Sequence, residues 1–192
     1  MLILASASPR RADLLGAAGI PAEIRPADVD ESIRPSETPE AYACRVAREK
    51  ALAISAHAPG QAVLAADTVV VVDGLILGKP ADHEDARRML RLLSGRRHAV
   101  ITAVALVGSA GGSDGSVDTR IETTTVEFAA LSDAEIEWYI ATREPMDKAG
   151  GYAIQGLASR FVTRVEGSYS NVVGLPISLV YQMCTKAGLL LS

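Results

Sequence analysis

The chain has 192 residues, enough for one substantial domain or two small lobes. Hydrophobic residues make up 48% and charged residues 22% of it, a balance typical of a globular protein. The net charge is −4 and the pI about 5.4, so we expect no broad basic face for a nucleic acid polymer.

Compartment and redox state follow from simple features of the sequence. The N-terminal apolar run at residues 2–5 is too short for a signal sequence, and no 18-residue apolar run occurs elsewhere. Cys44 and Cys184 are far apart and have no spacing typical of a metal or redox motif. We therefore expect a soluble cytoplasmic protein with free thiols and no membrane partner.

Hydrophobic periodicity predicts strands interleaved with helices along one domain, residues 1–192. The predicted strands are 2–6, 22–27, 63–72, 75–77, 98–107, 118–128 and 161–165. The predicted helices are 9–18, 39–56, 83–93, 133–142 and 176–187. Thr38, Asp82 and Ser132 are suitable N-caps for three of these helices. Asp73-Gly74 is a hairpin turn signal. Residues 108–115 are rich in Gly and Ser, which predicts an exposed loop. The pattern favours a mixed α/β fold over a strict βαβ repeat.

The opening segment from Ser6 to Arg11 has the composition of a phosphate-binding device. Ser8 can cap a helix whose first turn holds Pro9, Arg10 and Arg11. A helix N-terminus presents backbone N–H groups and positive potential, and arginines add bidentate donors. An ordinary strand–helix junction with solvated arginines explains these residues equally well.

Two charged residues interrupt apolar patterns. Asp67 lies in the run 63–72, where a carboxylate is costly to bury without a partner or a metal ion, unless a strand end or bulge leaves it in water. Lys50 lies on the apolar stripe of the predicted helix 39–56, where it either meets an anion or extends past the edge of the face.

Further charges lie in turn-like segments. Asp28, Asp30 and Glu31 crowd one loop, which indicates either a divalent cation or a solvated acidic turn. Lys79 ends the hairpin between Gly78 and Pro80, and Lys148 precedes a glycine pair in a segment that fits a surface turn as well as a ligand loop. Acidic groups for a cation and basic groups for phosphate are together the recurrent arrangement for stabilising phosphoryl charge.

These motifs, taken together, resemble the Maf family of nucleoside triphosphate pyrophosphatases over nearly the whole chain. The segments that carry the resemblance are Ser6–Arg11, Asp30–Glu31, Ala47–Ala51, Ala66–Val70, Gly78–Pro80, Asp147–Gly150 and Gly167–Pro176. The resemblance implies a fold similar to inosine triphosphate pyrophosphatases, an elongated mixed sheet flanked by helices with two lobes around a cleft. It also implies a homodimer that uses Mg²⁺ or Mn²⁺ to split nucleoside triphosphates into monophosphate and pyrophosphate.

The resemblance further implies roles for individual residues. The charged active-site positions match Arg11, Glu31, Lys50, Asp67 and Lys79, with Asp67 as the usual proton acceptor and with Glu31 and Asp67 as metal ligands. The expected substrate-binding residues are Ser8, Arg10, Thr68, Lys148 and Gln155. Arg10, Thr68 and Gln155 match the specificity positions of the branch that acts on dTTP and UTP, and a glutamine amide can pair with the O4/N3 edge of uracil or thymine.

Two other functions remain open from the sequence. One is a nucleotide-sensing regulator of cell division with little turnover. The other is the same chemistry on 7-methyl-GTP or other modified nucleotides.

Overall fold

A computed structural model describes residues 1–108 and 116–190 of the chain. Its strands are β1 Leu2–Leu4, β2 Ala22–Ile24, β3 Ala62–Val72, β4 Leu75–Leu77, β5 Arg97–Val107, β6 Val117–Phe128 and β7 Val162–Glu166. Its α-helices are α1 Pro9–Ala17, α2 Pro39–Ser55, α3 His83–Leu93, α4 Asp133–Ala141, α5 Tyr169–Val173 and α6 Ile177–Lys186. Short 3₁₀ helices cover Glu144–Asp147, Ala149–Gly151 and Leu157–Phe161. No described helix is both long enough and apolar enough to cross a membrane.

The described strands form one mixed sheet in the order β2-β1-β3-β5-β6-β7, and β4 pairs with β3. β1 runs parallel to both β2 and β3, whereas β3–β4 and β6–β7 are antiparallel pairs. Most of β3 and β5 is buried, as expected for strands in the middle of a covered sheet. The mixed α/β sheet that the sequence predicted is therefore confirmed.

Local capping explains where several helices begin. The Thr38 hydroxyl accepts a hydrogen bond from the Ala41 N–H at the start of α2. Ser132 and Glu135 form a reciprocal capping box at the start of α4. The hairpin turn has positive φ angles at both Asp73 and Gly74, the conformation that an Asp-Gly turn favours.

The prediction was wrong at a few boundaries. β2 ends at Ile24 rather than at residue 27, because Pro26 has no N–H with which to continue the ladder. Helix α5 was not predicted, since five residues are too few to show a 3.6-residue period; the Ser168 hydroxyl accepts a hydrogen bond from the Asn171 N–H near its start. The predicted loop at 108–115 lies, from residue 109 onward, outside the described residues.

The chain divides into two compact units. Unit 1 contains residues 1–67, 102–122 and 174–192, and unit 2 contains residues 68–101 and 123–173. Strands β3, β5 and β6 each contribute residues to both units. The cleft that the resemblance implies stays a prediction.

Each unit has its own apolar core. In unit 1, side chains from β1, α1, β3 and α6 pack together around Leu4, Leu64 and Val180. In unit 2, α3 and α4 pack against β3, β5 and β6, with Leu90 and Tyr139 fully buried. The burial of these side chains fixes the elements that carry the charged residues described below.

A buried histidine lies in the core of unit 2. His98 on β5 is only 3% exposed, and its Nε2 lies 2.8 Å from the Tyr152 hydroxyl oxygen. The ring also packs edge-on against Phe128. Burial disfavours the charged imidazolium and lowers the pKa of His98 to about 4.

We predict that His98 makes folding stability depend on pH. The unfolded chain takes up a proton on His98 near pH 6.5, but the folded protein does so only near pH 4, so the free energy of unfolding falls as the pH drops through that window. The expected loss is on the order of 3 kcal/mol. Urea unfolding between pH 7 and pH 4 should show a flatter dependence for His98→Gln, and equal slopes for the two proteins would contradict the prediction.

Candidate active site

Asp67 is a buried carboxylate in unit 1. It follows five buried residues of β3, and its side chain is only 9% exposed. The Lys50 ammonium donates a hydrogen bond of 2.8 Å to Asp67 Oδ1. A buried carboxylate requires such a partner, because removal from water costs several kcal/mol for an ion.

Lys50 reaches Asp67 from the buried face of α2. Ala43, Val46, Ala47 and Ala51 on this face are fully buried, and the Lys50 side chain is 9% exposed. The lysine therefore lies inward on the apolar stripe instead of extending past its edge. Its Nζ also lies 2.7 Å from Glu31 Oε1, so one ammonium bridges two carboxylates.

Glu31 lies in an irregular segment before α2, and two side chains of α2 hold its backbone. The Tyr42 hydroxyl donates to the Glu31 carbonyl oxygen at 2.8 Å. Arg45 donates to the carbonyl oxygens of Asp30 at 3.4 Å and Ser32 at 2.8 Å. Three consecutive carbonyl groups are thus bound by the helix that carries Lys50.

Arg45 is itself fixed by an ion pair. Its Nε donates to Glu37 Oε1 at 2.6 Å, and its Nη2 donates to Glu37 Oε2 at 2.9 Å. This hydrogen bonding lowers the pKa of Glu37 to about 2 and raises the pKa of Arg45. Burial raises the pKa of Tyr42 to about 12, so its phenol stays protonated and can donate.

The acidic loop does not form the three-carboxylate cation site that its sequence allowed. Asp30 Oδ1 accepts the Ser32 N–H at 2.9 Å, and this contact lowers the pKa of Asp30. Within residues 1–108 and 116–190, no three His, Cys, Asp or Glu side chains come together as a metal-binding group. Glu31 is the loop carboxylate that reaches the Lys50–Asp67 pair.

The N-terminal segment differs from the prediction in one detail. Ser8 occupies the N-cap position of α1, but its side chain makes no capping hydrogen bond. Its N–H instead donates to the Ser6 hydroxyl at 3.2 Å. This hydrogen bond between residues two apart holds the backbone at the start of α1, where a side-chain cap was expected. Ser8 and Arg10 are both half-buried.

Arg11 is buried and bonded to the backbone of unit 1. It donates to the carbonyl oxygens of Ala66 and Gly174, each at 2.8 Å. Burial lowers the pKa of Arg11, with the charges of Asp67 and Glu31 acting in the opposite direction. Because Ala66 precedes Asp67, this guanidinium fixes the backbone that carries the buried carboxylate.

Unit 2 carries the other predicted residues. Lys79 is exposed, and its turn is fixed by the Gly150 N–H, which donates to the Gly78 carbonyl oxygen at 2.9 Å. Gly150 is required there, since its φ is +70° and a Cβ would lie 2.9 Å from the Val70 side chain. Lys148 donates to the Glu144 carbonyl oxygen at 3.2 Å and pairs with Asp147.

Thr68 and Gln155 also belong to unit 2. Thr68 follows Asp67 in β3 and is half-buried, on the opposite face of the strand. Gln155 is exposed between the buried Ile154 and the half-buried Gly156. The side chain of Gln155 is therefore accessible to a ligand.

Comparison with known proteins identifies the family. The family model described as Maf-like protein matches residues 1–187. The chain belongs to the Maf family.

Curated relatives match over almost their whole length. A dTTP/UTP pyrophosphatase of Anaeromyxobacter dehalogenans (strain 2CP-C) is 54% identical over 187 residues, covering 97% of this chain and 94% of that protein. A dTTP/UTP pyrophosphatase of Koribacter versatilis (strain Ellin345) is 53% identical over 190 residues, covering 98% and 95%.

A solved structure supports the fold alone. A HAM1 protein from Coxiella burnetii is 15% identical, covers 96% of this chain and 98% of its own, and superposes with a TM-score of 0.51. The expected likeness of this Maf protein to the inosine triphosphate pyrophosphatase fold is confirmed.

Sequence reasoning missed the residues that hold these candidate segments in place. In unit 1, Tyr42 and Arg45 on α2 contact the backbone around Glu31, and in unit 2, Tyr139 and Glu144 contact the backbone around Gln155. No local pattern marks them, because their partners are carbonyl and amide groups whose positions depend on the tertiary fold.

We predict that Arg45→Lys loosens the segment containing Glu31. Lysine keeps the charge but cannot bind Glu37 and the Asp30 and Ser32 carbonyl groups at once. Amide hydrogen exchange in residues 30–37 should become about tenfold faster, the equivalent of about 1.4 kcal/mol of lost local stability.

Arg48→Lys is the matched control for this prediction. Arg48 is on the same helix but contacts Val117 and Thr119 instead. Unchanged exchange in residues 30–37 of Arg45→Lys would contradict the assigned role of Arg45.

Proposed function

We propose that this protein is a nucleoside triphosphate pyrophosphatase, which adds water across the α–β phosphoanhydride and releases a nucleoside monophosphate and pyrophosphate. The observation that carries the proposal is the buried Lys50 ammonium between Asp67 and Glu31. The two relatives described above are named dTTP/UTP pyrophosphatase, which supports the same reaction for this chain. The alternative of a nucleotide-sensing regulator with little turnover has no comparable support.

A divalent cation fits the donor set of unit 1. Glu31 and Asp67 offer carboxylate oxygens, and Mg²⁺ is commonly bound by one or two carboxylates together with substrate phosphates. We propose that these two residues hold Mg²⁺ or Mn²⁺. When bound, the ion would neutralise charge that develops on the phosphoryl oxygens.

The protein's own groups would perform the proton transfer and the charge balance. Asp67 would orient the attacking water and accept its proton on a carboxylate oxygen as the anhydride bond breaks. Lys50, whose Nζ is already held by two carboxylates, would stabilise the charge of the leaving pyrophosphate.

The other predicted residues would bind the substrate. We propose that Lys79 contacts the phosphates, since its exposed side chain extends from a turn whose backbone is fixed. Ser8, Arg10 and Lys148 are proposed as further contacts to the nucleotide. Arg11 would contribute positive charge while it holds the Ala66 carbonyl group.

We further propose that Thr68 and Gln155 read the base, with preference for dTTP and UTP. The Gln155 amide has one donor and one acceptor group, and uracil and thymine present the complementary O4 and N3–H edge. A base with the wrong pattern would leave the donor and acceptor of the Gln155 amide unpaired against it.

The remaining organisation is proposed from the family resemblance. The two units would form one catalytic domain over residues 1–192, active as a homodimer in the cytoplasm. The family match over residues 1–187, which spans both units, supports the single domain.

We predict that Asp67→Asn retains the fold and loses turnover. The wild-type protein should release UMP and pyrophosphate from UTP in equal amounts, and the variant should be about 10²- to 10⁴-fold slower because it lacks the proton acceptor. Chromatography of the nucleotide products together with an assay of pyrophosphate would measure the ratio of the products and the rate of each protein.

Asp73→Asn is the control, because Asp73 is exposed in a hairpin turn that tolerates asparagine. Release of UDP and phosphate by the wild-type protein would refute the proposed reaction. Retention of near-wild-type kcat by Asp67→Asn would refute the role of Asp67.

We also predict that UTP and dTTP are hydrolysed with higher kcat/KM than CTP, ITP and 7-methyl-GTP. Gln155→Ala should lower the ratio of kcat/KM for UTP to that for CTP by about tenfold or more, because the selective hydrogen bonds are lost. Gln182→Ala, at an exposed position of α6, is the matched control. A higher kcat/KM for 7-methyl-GTP would refute the assignment of dTTP and UTP as substrates, but it would not contradict the proposed release of pyrophosphate.

A further inference from the structure

The loop that carries Gln155 is bound to one carboxylate. Glu144, in the 3₁₀ helix after α4, accepts the Leu157 N–H on Oε2 at 3.0 Å and the Ala158 N–H on Oε1 at 3.4 Å. These amides lie two and three residues after Gln155. The Glu144 carboxylate therefore fixes the backbone on the C-terminal side of Gln155.

The N-terminal side of Gln155 is bound to the same group through a tyrosine. The Tyr139 hydroxyl donates to Glu144 Oε1 at 2.8 Å and accepts the Ala153 N–H at 3.2 Å. Ala153 lies two residues before Gln155. Because burial raises the pKa of Tyr139, the phenol stays protonated and keeps its donor.

Gly156 shows how closely the carboxylate approaches this loop. A Cβ at Gly156 would lie 2.5 Å from both carboxylate oxygens of Glu144. The glycine has a negative φ of −108°, so its conformation does not require glycine. The space that a side chain would fill is occupied by the Glu144 carboxylate.

Both supporting side chains are anchored in unit 2. The Tyr139 side chain is fully buried and packs edge-on against Phe161 at 5.6 Å between ring centroids. Glu144 is held by its backbone, since its N–H donates to the Thr142 hydroxyl and its carbonyl oxygen accepts from Lys148. The support thus joins a fully buried tyrosine to a half-buried carboxylate whose backbone is held on both sides.

We propose that Tyr139 and Glu144 are positioning residues that set the pyrimidine selectivity by fixing the backbone from which the Gln155 side chain reaches the base. This inference rests on the proposed function, in which Gln155 reads the base. A side chain that extends from a fixed backbone reaches the base from one position, whereas a side chain on a loose loop can shift to meet the N4/N3 edge of cytosine. Fixing the loop backbone therefore restricts which base edge the Gln155 amide can pair with.

The test compares conservative variants that remove only the polar contacts. Tyr139→Phe keeps the buried ring and removes the hydroxyl, and Glu144→Gln keeps the shape and removes the charge and one acceptor. Each should lower the ratio of kcat/KM for UTP to that for CTP by about tenfold, by misplacement of the amide. The kcat for UTP should stay within about threefold, because the proposed hydrolytic groups are untouched.

Matched controls separate selectivity from general effects of substitution. Glu137→Gln is on the same helix as Tyr139 but alters a pair with Arg87, and Tyr181→Phe alters an exposed tyrosine of α6. Both should keep the wild-type ratio. Thermal melts identify a variant that fails to fold, and Tyr139→Phe tests the inference by itself if Glu144→Gln does not fold.

Combination with Gln155→Ala distinguishes the two proposals. Tyr139→Phe in the Gln155→Ala background should cause no further loss of selectivity, because the amide that it positions is absent. If Gln155→Ala lowers the ratio but Tyr139→Phe and Glu144→Gln leave it unchanged, the positioning inference is overturned and base reading by Gln155 stands. An unchanged ratio in Gln155→Ala overturns base reading and the inference together.

Discussion

The shared contact of the Lys50 ammonium with Asp67 and Glu31 is the constraint on which the chemistry of unit 1 depends. Asp67 can lie within a buried strand only because a cation is brought to it, and the apolar stripe of α2 brings that cation inward. Removal of the lysine would leave an unpaired buried carboxylate, at a cost of about 3–5 kcal/mol. The packing of α2 therefore determines where the positive charge that balances Asp67 lies.

Both candidate functional segments are fixed by side chains that bind their backbone. Tyr42 and Arg45 bind carbonyl groups around Glu31, and Tyr139 and Glu144 bind amide groups around Gln155. Backbone groups without a partner in a sheet or helix must be satisfied elsewhere, and here side chains of neighbouring helices supply the partners. These contacts hold each segment in place.

The sequence predicted most of the fold and identified the charged groups, but not what holds them. The caps at Thr38 and Ser132 are local signals, and so they were correctly assigned. The apolar stripe singled out Lys50, but its inward direction was decided by the structure. The two interpretations of the acidic loop could not be separated from the sequence, because which carboxylate points inward depends on backbone contacts from α2. Those contacts join residues that share no periodicity, so no pattern in the chain could reveal them.

Arg11 shows why a charged motif alone does not define a binding group. Its guanidinium bonds to backbone carbonyl oxygens, one of them next to Asp67, and its charge lies near both carboxylates. With Lys50, it sets two positive charges against the two negative charges of Asp67 and Glu31. Such balance stabilises the buried groups before any nucleotide or cation arrives, and it fixes their dipoles and charges in the orientation that the reaction would require. Arg11 therefore acts first on the protein's own backbone, and catalysis by the carboxylate next to the carbonyl group that it holds would follow from that arrangement.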